Sequence, residues 1–329
     1  MLTEVEEWIR RRTSSTAAWT TGGLLAAKAG SRISVVLPAR NEEPTVGRIV
    51  ESIRRDLVER VPLVDEIVVV DSRSNDATAA VAARAGAIVV AQDEVLPELG
   101  RMSGKGEALW KSLAVTTGDV LVFIDADLRN FEPHFVTGLL GPLLTDPEVA
   151  YVKAAYERPL LTPAGVLPTE GGRVTELVAR PLINMHWPRL AGFFQPLAGE
   201  YAGRRSVLTQ VPFVTGYGVE LGLLIDLFDL VGLDGLAQVD LGVRTHSHQS
   251  TDALGMMAGQ ILLTAWMRLQ RQGRVVTTEP PATTLTRFRR SGLSHEAVEC
   301  DVHAGERPAI GTVPGYAEIR QAHTGIRSQ

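Results

Sequence analysis

From about residue 30 to residue 158 the chain alternates between two hydrophobic rhythms. "ISVVLPA" (33–39), "EIVVVDS" (66–72), "AIVVAQ" (87–92), "DVLVFIDAD" (119–127) and "VAYVKAAYER" (149–158) are short apolar runs with no polar alternation, as expected of strands covered on both faces. Between them, "VGRIVESIRRDLVER" sets Val46, Ile49, Val50, Ile53 and Leu57 at helical spacing. "DATAAVAARAG" reads as a short helix opened by Asp76 and stopped by Gly86, and "GEALWKSLAVTTG" and "PHFVTGLLGPLL" as two more. Strand–helix alternation of this kind predicts right-handed crossovers and a mostly parallel wound sheet, an α/β Rossmann-like architecture.

After Pro159 the rhythm changes. "LTPAGVLPTEGG" reads as a Pro- and Gly-rich loop. "RVTELVARPLINMHW" is helical, with a kink expected at Pro181. "GYGVELGLLIDLFDLVG" and "DALGMMAGQILLTAWMRLQRQ" are helices, and "LAQVDLGVRTHSH" between them is strand-like. From residue 284 no period is evident, and the segment reads as a loosely attached tail. The expected division is 1–158, 159–283 (mainly helical) and 284–329.

Composition narrows the function classes. The 329 residues, 45% hydrophobic and 22% charged, suffice for one large or two smaller cores. A net charge of −5 without a basic segment argues against nucleic acid. No apolar run approaches the roughly 18 residues of a membrane span. The start "MLTEVEEWIRRRTSS" lacks a signal-peptide core, so a cytoplasmic protein is expected. A lone Cys300 precludes internal disulfides and cysteine-based zinc sites. Aromatic content of 5% argues against a stacking platform for bases or sugars.

Candidate chemistry gathers at the strand ends, where open α/β sheets bind ligands. The first strand ends "LPARNEE", with neither G-x-G-x-x-G nor a Walker A pattern, which argues against nicotinamide oxidoreductases and P-loop kinases. The tips "ARNEE" and "DSRSNDAT" offer Asn41, Glu42, Asp71 and Ser72 to a ribose or base edge, while Asp76 suits a helix cap. In "SGKGEALWKSL", Lys105 lies between two glycines at a helix start, a suitable place to meet a phosphate. The fourth strand runs into Asp125 and Asp127. On an extended strand these share a face and repel; a cation between them, or a strand that has already ended, removes the conflict. Mg²⁺ or Mn²⁺ between a carboxylate and a diphosphate is chemically complete. "GGRVT" (171–175) opens a helix with backbone N–H groups, a guanidinium and a hydroxyl suited to a phosphate. Glu220, in an apolar helix, needs a partner or solvent. His186 and Trp187 read as packing residues.

In this order, "VVLPARNEEPTV", "VVVDSRSNDAT", "GKGEALWKSL" and "VFIDADLRNF" resemble the GT-A-fold nucleotide-sugar glycosyltransferases. "EGGRVTELVARPLINMHWPRLAGFFQPLAGEYAGRR", "GYGVELGLLID" and "QVDLGVRTHSHQ" narrow the resemblance to the retaining glucosyl-3-phosphoglycerate synthases of glycosyltransferase family 81, over roughly residues 30–270. The resemblance implies glucose transfer from UDP-glucose to the 2-hydroxyl of 3-phosphoglycerate, a divalent metal (Mg²⁺ or Mn²⁺), a homodimer and a role in methylglucose lipopolysaccharide synthesis. It assigns 1–158 to nucleotide-sugar binding and 159–283 to acceptor binding and dimerisation. It implies that Pro38, Ala39, Asn41 and Glu42 line the uridine site, with Ser72 on uracil. Gly104 and Lys105 approach the uridine and diphosphate, and Asp125 and Ala126 face the sugar nucleotide. Asp127 and His246 hold the metal, Glu220 holds the glucose hydroxyls, and Gly172, Arg173 and Thr175 hold the acceptor phosphate. A role for His248 is weakened because the asparagine expected near it in "THSHQ" is absent. Retention is expected by a front-face route, with the Leu197 carbonyl near the acceptor hydroxyl; Glu200 is the candidate nucleophile of the competing double displacement. The alternatives are a GDP-sugar (mannosyl) transferase, a sugar nucleotidyltransferase, against which the missing Gly-rich loop speaks, and a non-enzymatic nucleotide-sugar sensor.

Overall fold

The computed structural model describes residues 1–158, 160–162, 165–167, 172–244 and 250–319. One eight-stranded sheet dominates, in the order Thr13–Ser15, Leu236–Val243, Tyr151–Glu157, Tyr201–Arg204, Val120–Phe123, Ile33–Ala39, Glu66–Asp71, Ile88–Ala91. All neighbours are parallel except Tyr201–Arg204, which is antiparallel to both of its partners. The mostly parallel α/β sheet expected from the strand–helix rhythm is thus present.

Alternation along each strand sorts the core into two faces. Val36, Val68, Val70, Leu121, Phe123 and Tyr151 pack on one side, with residues of the helices Lys105–Val115 and Val219–Val231. Val35, Leu37, Val69, Val122, Ile124 and Val152 pack on the other, with residues of the helices Glu43–Ile53 and His134–Thr145. Because both faces are covered, the strands carry no polar alternation.

Three expectations need correction. The second part is not separate from the sheet: Tyr201–Arg204 and Leu236–Val243 both lie within it. "YAGR" gives no strand signal because its strand character comes from the two neighbours it bonds rather than from propensity. The segment read as a loop after Pro159 contains the short antiparallel strands Leu160–Thr162 and Gly165–Leu167. The described part of the tail, residues 284–319, is tied to the body. Thr284–Ser291 and Ser294–Asp301 form a hairpin, Glu306–Arg307 pairs antiparallel with Phe213–Val214, and Val302, Ala304 and Ile310 are buried. No period announced this, since a two-residue strand and ion pairs provide much of the attachment. At Pro181 the helix accommodates the missing N–H through a wide turn, Thr175–Ala179, just before Arg180–His186. Trp187 is buried and bonds Gln272, in keeping with packing.

Glu306 and Arg307 point to opposite partners. Glu306 reaches Arg268 and Arg271 of the long helix Thr251–Arg271. Arg268 is 1% exposed and also binds Asp226. Arg268→Met would leave buried Asp226 with only Arg271, 3.8 Å away. The expected loss is about 3–5 kcal/mol of unfolding free energy. Urea denaturation measures it, and a change within experimental error would show that these charges do not hold the tail.

Candidate active site

The carboxyl ends of five parallel strands meet in one place. Pro38 to Glu42 follow Ile33–Ala39, Ser72 and Arg73 follow Glu66–Asp71, Asp125 to Asp127 follow Val120–Phe123, Arg158 follows Tyr151–Glu157, and Arg244 follows Leu236–Val243. Around them opens a cleft of about 800 Å³. Its far walls come from Gly172–Thr175, Leu197, Gly199, Gly216, Tyr217, Glu220 and the helix residues Leu254, Met257, Gln260 and Ile261.

The strand ends at Phe123, and Ala126–Asp127 form a turn, so the second escape from carboxylate repulsion, a strand that has ended, applies. A cation between the two is present as well. Arg244, 4% exposed, donates from Nη2 to Asp125 at 2.8 Å and to Asp127 at 3.3 Å, and from Nε to Glu200 at 2.9 Å. Lys105 pairs with Asp125 and, at 2.9 Å, with Glu220. Glu220 therefore has the partner its apolar helix demanded.

The electrostatics follow from this crowding. Burial would push the Asp125 carboxyl up, but Lys105 and Arg244 outweigh it and hold it at about 2. Burial presses the Lys105 ammonium down, yet Asp125 and Glu220 raise it above the ordinary lysine range. Asp127 is raised by burial, with Arg244 offsetting part of the shift and Asp125 adding to it. Glu42 is pushed up to about 7 by burial and by Asp127. Glu42, Asp125 and Asp127 thus bring carboxylate oxygens to one cleft, hard donors of the kind that suit a divalent ion. Among the described residues no three His, Cys, Asp or Glu side chains form a metal cage. His246 and His248 lie outside the described residues.

Of the residues expected in the site, Pro38, Ala39, Glu42, Ser72, Gly104, Lys105, Asp125, Ala126, Asp127, Gly172, Arg173, Thr175, Leu197 and Glu220 all line the cleft. Asn41 does not. It sits at φ 58, and its side-chain oxygen accepts from the Asn75 N–H at 2.8 Å, which ties the first strand's tip to the second's. Asp71 accepts from the Ser74 N–H and Asp76 from the Thr78 N–H, both turn roles. Glu200 is fully buried and does not line the cleft. Glycine flanks Lys105 for a packing reason: a Cβ at Gly104 would lie 2.1 Å from the Thr215 carbonyl oxygen, and one at Gly106 1.8 Å from that of Val214.

Sequence reasoning missed Arg244, Arg158, Arg73, Gln92 and Gly199. The first three follow strand ends, the criterion applied to the other strands but not to these positions. Gly199 gave no local signal. It enters the site because the strand after it runs antiparallel, which brings its amino end to the neighbours' carboxyl edge.

Residues 34–162 match the family model "Glycosyl transferase family 2". The glucosyl-3-phosphoglycerate synthase of Mycolicibacterium smegmatis is 47% identical, over 93% of this chain and 98% of its own. The chain belongs to the glucosyl-3-phosphoglycerate synthase family. Among solved structures, the Mycobacterium tuberculosis synthase in complex with Mn²⁺, UDP-glucose and phosphoglyceric acid is similar at TM-score 0.76 and 48% identity, over 89% of this chain and 94% of that one. A mannosyl-3-phosphoglycerate synthase from Rubrobacter xylanophilus is similar at TM-score 0.87 and 41% identity, over 94% and 99%. This member of the synthase family is a glycosyltransferase, and its fold is the GT-A-type wound sheet that the resemblance implied.

The synthase cleft depends on Gly199. A Cβ there would lie 2.2 Å from Asp125 Oδ2 and 2.6 Å from Lys105 Nζ. Gly199→Ala is expected to separate that ion pair and lower turnover by about a hundredfold while the protein stays folded. Steady-state rates and a thermal melt measure both, and near-normal turnover would show that the pair's geometry is not critical.

Proposed function

We propose that this protein transfers glucose from UDP-glucose to the 2-hydroxyl of 3-phosphoglycerate, using a divalent ion. The observation that carries the reading is the charge of the cleft. In a chain of net charge −5, Arg40, Arg73, Lys105, Arg129, Arg158, Arg173 and Arg244 gather around one cleft together with Glu42, Asp125, Asp127 and Glu220. Cationic side chains gathered in this way attract anionic ligands, and both a nucleotide sugar and a phosphoglycerate are anionic. The ligands in the M. tuberculosis relative's structure, Mn²⁺, UDP-glucose and phosphoglyceric acid, agree with it.

On this reading Pro38, Ala39, Glu42 and Ser72 hold the uridine, and Lys105 at its helix start meets the diphosphate. Asp127 and His246 hold Mg²⁺ or Mn²⁺, which when bound neutralises diphosphate charge and favours departure of UDP. Lys105 supplies a permanent positive charge where the leaving group gains negative charge, so it acts in the transition state more than in the ground state. Asp125 and Glu220 aim that ammonium, and Glu220 accepts from glucose hydroxyls. Gly172, Arg173 and Thr175 anchor the acceptor phosphate, and the Leu197 carbonyl orients the attacking hydroxyl.

Retention is assigned to the front-face route. The acceptor oxygen bonds the anomeric carbon on the side from which UDP leaves, and its proton passes to the departing phosphate. The burial of Glu200 behind Arg244 supports this, because a nucleophile must reach the sugar. Family likeness also supports a cytoplasmic homodimer acting early in methylglucose lipopolysaccharide synthesis. A second reading, mannosyl transfer from a GDP-sugar, draws on the TM-score of 0.87 to the Rubrobacter mannosyl enzyme. Incubating UDP-glucose and GDP-mannose separately, with and without 3-phosphoglycerate, and measuring nucleotide release decides between them. Acceptor-dependent UDP release is expected. Preferential GDP release would install the second reading, and no release with either donor would exclude a transferase acting on these substrates.

Arg173→Ala should raise the acceptor KM by about ten- to a hundredfold, the equivalent of a lost charge-assisted bond, and leave the donor KM nearly unchanged. Equal effects on both would make Arg173 structural. Glu200→Gln keeps an acceptor for Arg244 and should retain measurable, configuration-retaining activity. A glucosyl adduct trapped on Glu200 and located by mass spectrometry would overturn the front-face assignment.

A further inference from the structure

One wall of the cleft is an irregular loop. Between Gln92 and Gly104 it contains two short 3₁₀ turns and three residues of positive φ: Leu96 at 49°, Gly100 at 73° and Gly104 at 116°. Such a loop has no ladder of its own to fix it, and a non-glycine residue in the left-handed region is held there only by its surroundings. Yet it presents Gln92, Ser103 and Gly104 to the cleft.

What fixes it lies behind it, in the C-terminal segment. Arg307 Nη1 donates to the Leu99 carbonyl and Nη2 to the Gly100 carbonyl, both at 2.8 Å. The same guanidinium grips Glu107 with two bonds, at 2.7 and 2.8 Å. Glu107 is fully buried and also faces Lys111 at 3.3 Å. Lys111, fully buried too, donates to the Gln92 carbonyl at 3.0 Å. The triad therefore clamps the loop at its start, Gln92, and again at Leu99 and Gly100. Gln92 passes the restraint to the cleft: its side chain accepts from Ser72 Oγ at 2.7 Å and donates to the Met102 carbonyl at 3.2 Å. Gly305, two residues before Arg307, packs so tightly on the loop that a Cβ would lie 2.5 Å from Met102 Cε.

We propose that Glu107, Lys111 and Arg307 are positioning residues for the nucleotide: the C-terminal segment, far from the cleft in sequence, sets nucleotide affinity by fixing the loop from Gln92 to Gly104. None of the three lines the cleft, so their effect passes through the loop. The inference rests on the reading that the nucleotide occupies this wall.

The test uses the full chain with UDP and Mn²⁺ as the probe. Arg307→Met removes the clamp. Arg307→Lys keeps a positive charge beside Glu107 but loses the fork to the Leu99 and Gly100 carbonyls, and serves if Arg307→Met does not fold. Hydrogen exchange of the peptide spanning 92–104, calorimetric UDP affinity and the acceptor KM are measured on each, with Lys105→Ala as reference. The expected result is faster exchange in that peptide and UDP binding weakened by about tenfold, with the acceptor KM within about twofold of the parent. Unchanged exchange overturns the clamp. Faster exchange with unchanged UDP affinity overturns the positioning role when Lys105→Ala weakens UDP. If Lys105→Ala also binds UDP normally, the donor reading fails instead, and the inference fails with it.

Discussion

The site is organised around one constraint: several carboxylates are buried together and must be neutralised where they stand. Asp125 is the centre, held by Lys105 on one side and Arg244 on the other. Each cation holds a further carboxylate, Glu220 for Lys105 and Glu200 for Arg244, so removing either cation strands its outer carboxylate. This network ties together the helix start at Lys105, the turn after the fourth parallel-type strand, the antiparallel strand's amino end and the last strand of the sheet. The same charges that stabilise the cleft suit the chemistry proposed for it, because a diphosphate and a divalent ion would enter among groups already fixed in position.

The antiparallel strand Tyr201–Arg204 has consequences beyond the sheet. Inserted between two strands that run the other way, it delivers Leu197, Gly199 and Glu200 to the edge where the parallel strands end. Two of these face the cleft, and Glu200 turns inward to brace Arg244. Positions within four residues of one another thereby receive different tasks. A fully buried lysine, Lys153, further supports this bend: its ammonium donates to the Ala198 carbonyl at 3.0 Å, and burial brings its pKa down to about 7.

The C-terminal segment illustrates how little apolar pattern a firm attachment needs. Glu306 and Arg307, adjacent in sequence, enter two separate buried ion clusters, one with the helix Thr251–Arg271 and one with the helix Lys105–Val115. Two side chains leave a strand on opposite faces, so a strand of two residues is long enough to join two helices.

The sequence by itself determined the parallel part of the sheet, because strands covered on both faces must be continuously apolar and the helices between them must show a period near 3.6. It also determined most of the cleft: Glu42, Ser72, Lys105, Asp125, Asp127 and Arg173 are polar groups at the ends of apolar elements, where a chain has little structural use for them. The tertiary structure decided what depends on contacts between distant segments. Arg244 became the bridge between two aspartates only through strand order, and Glu200 was withdrawn from the cleft wall only through its burial behind Arg244. Gly199 mattered only through the direction of the strand that follows it. The tail proved to be part of the body because its ion pairs join residues about 200 positions apart. Periodicity reports which face of an element is apolar; it carries no record of which charge, hundreds of residues away, that element will meet.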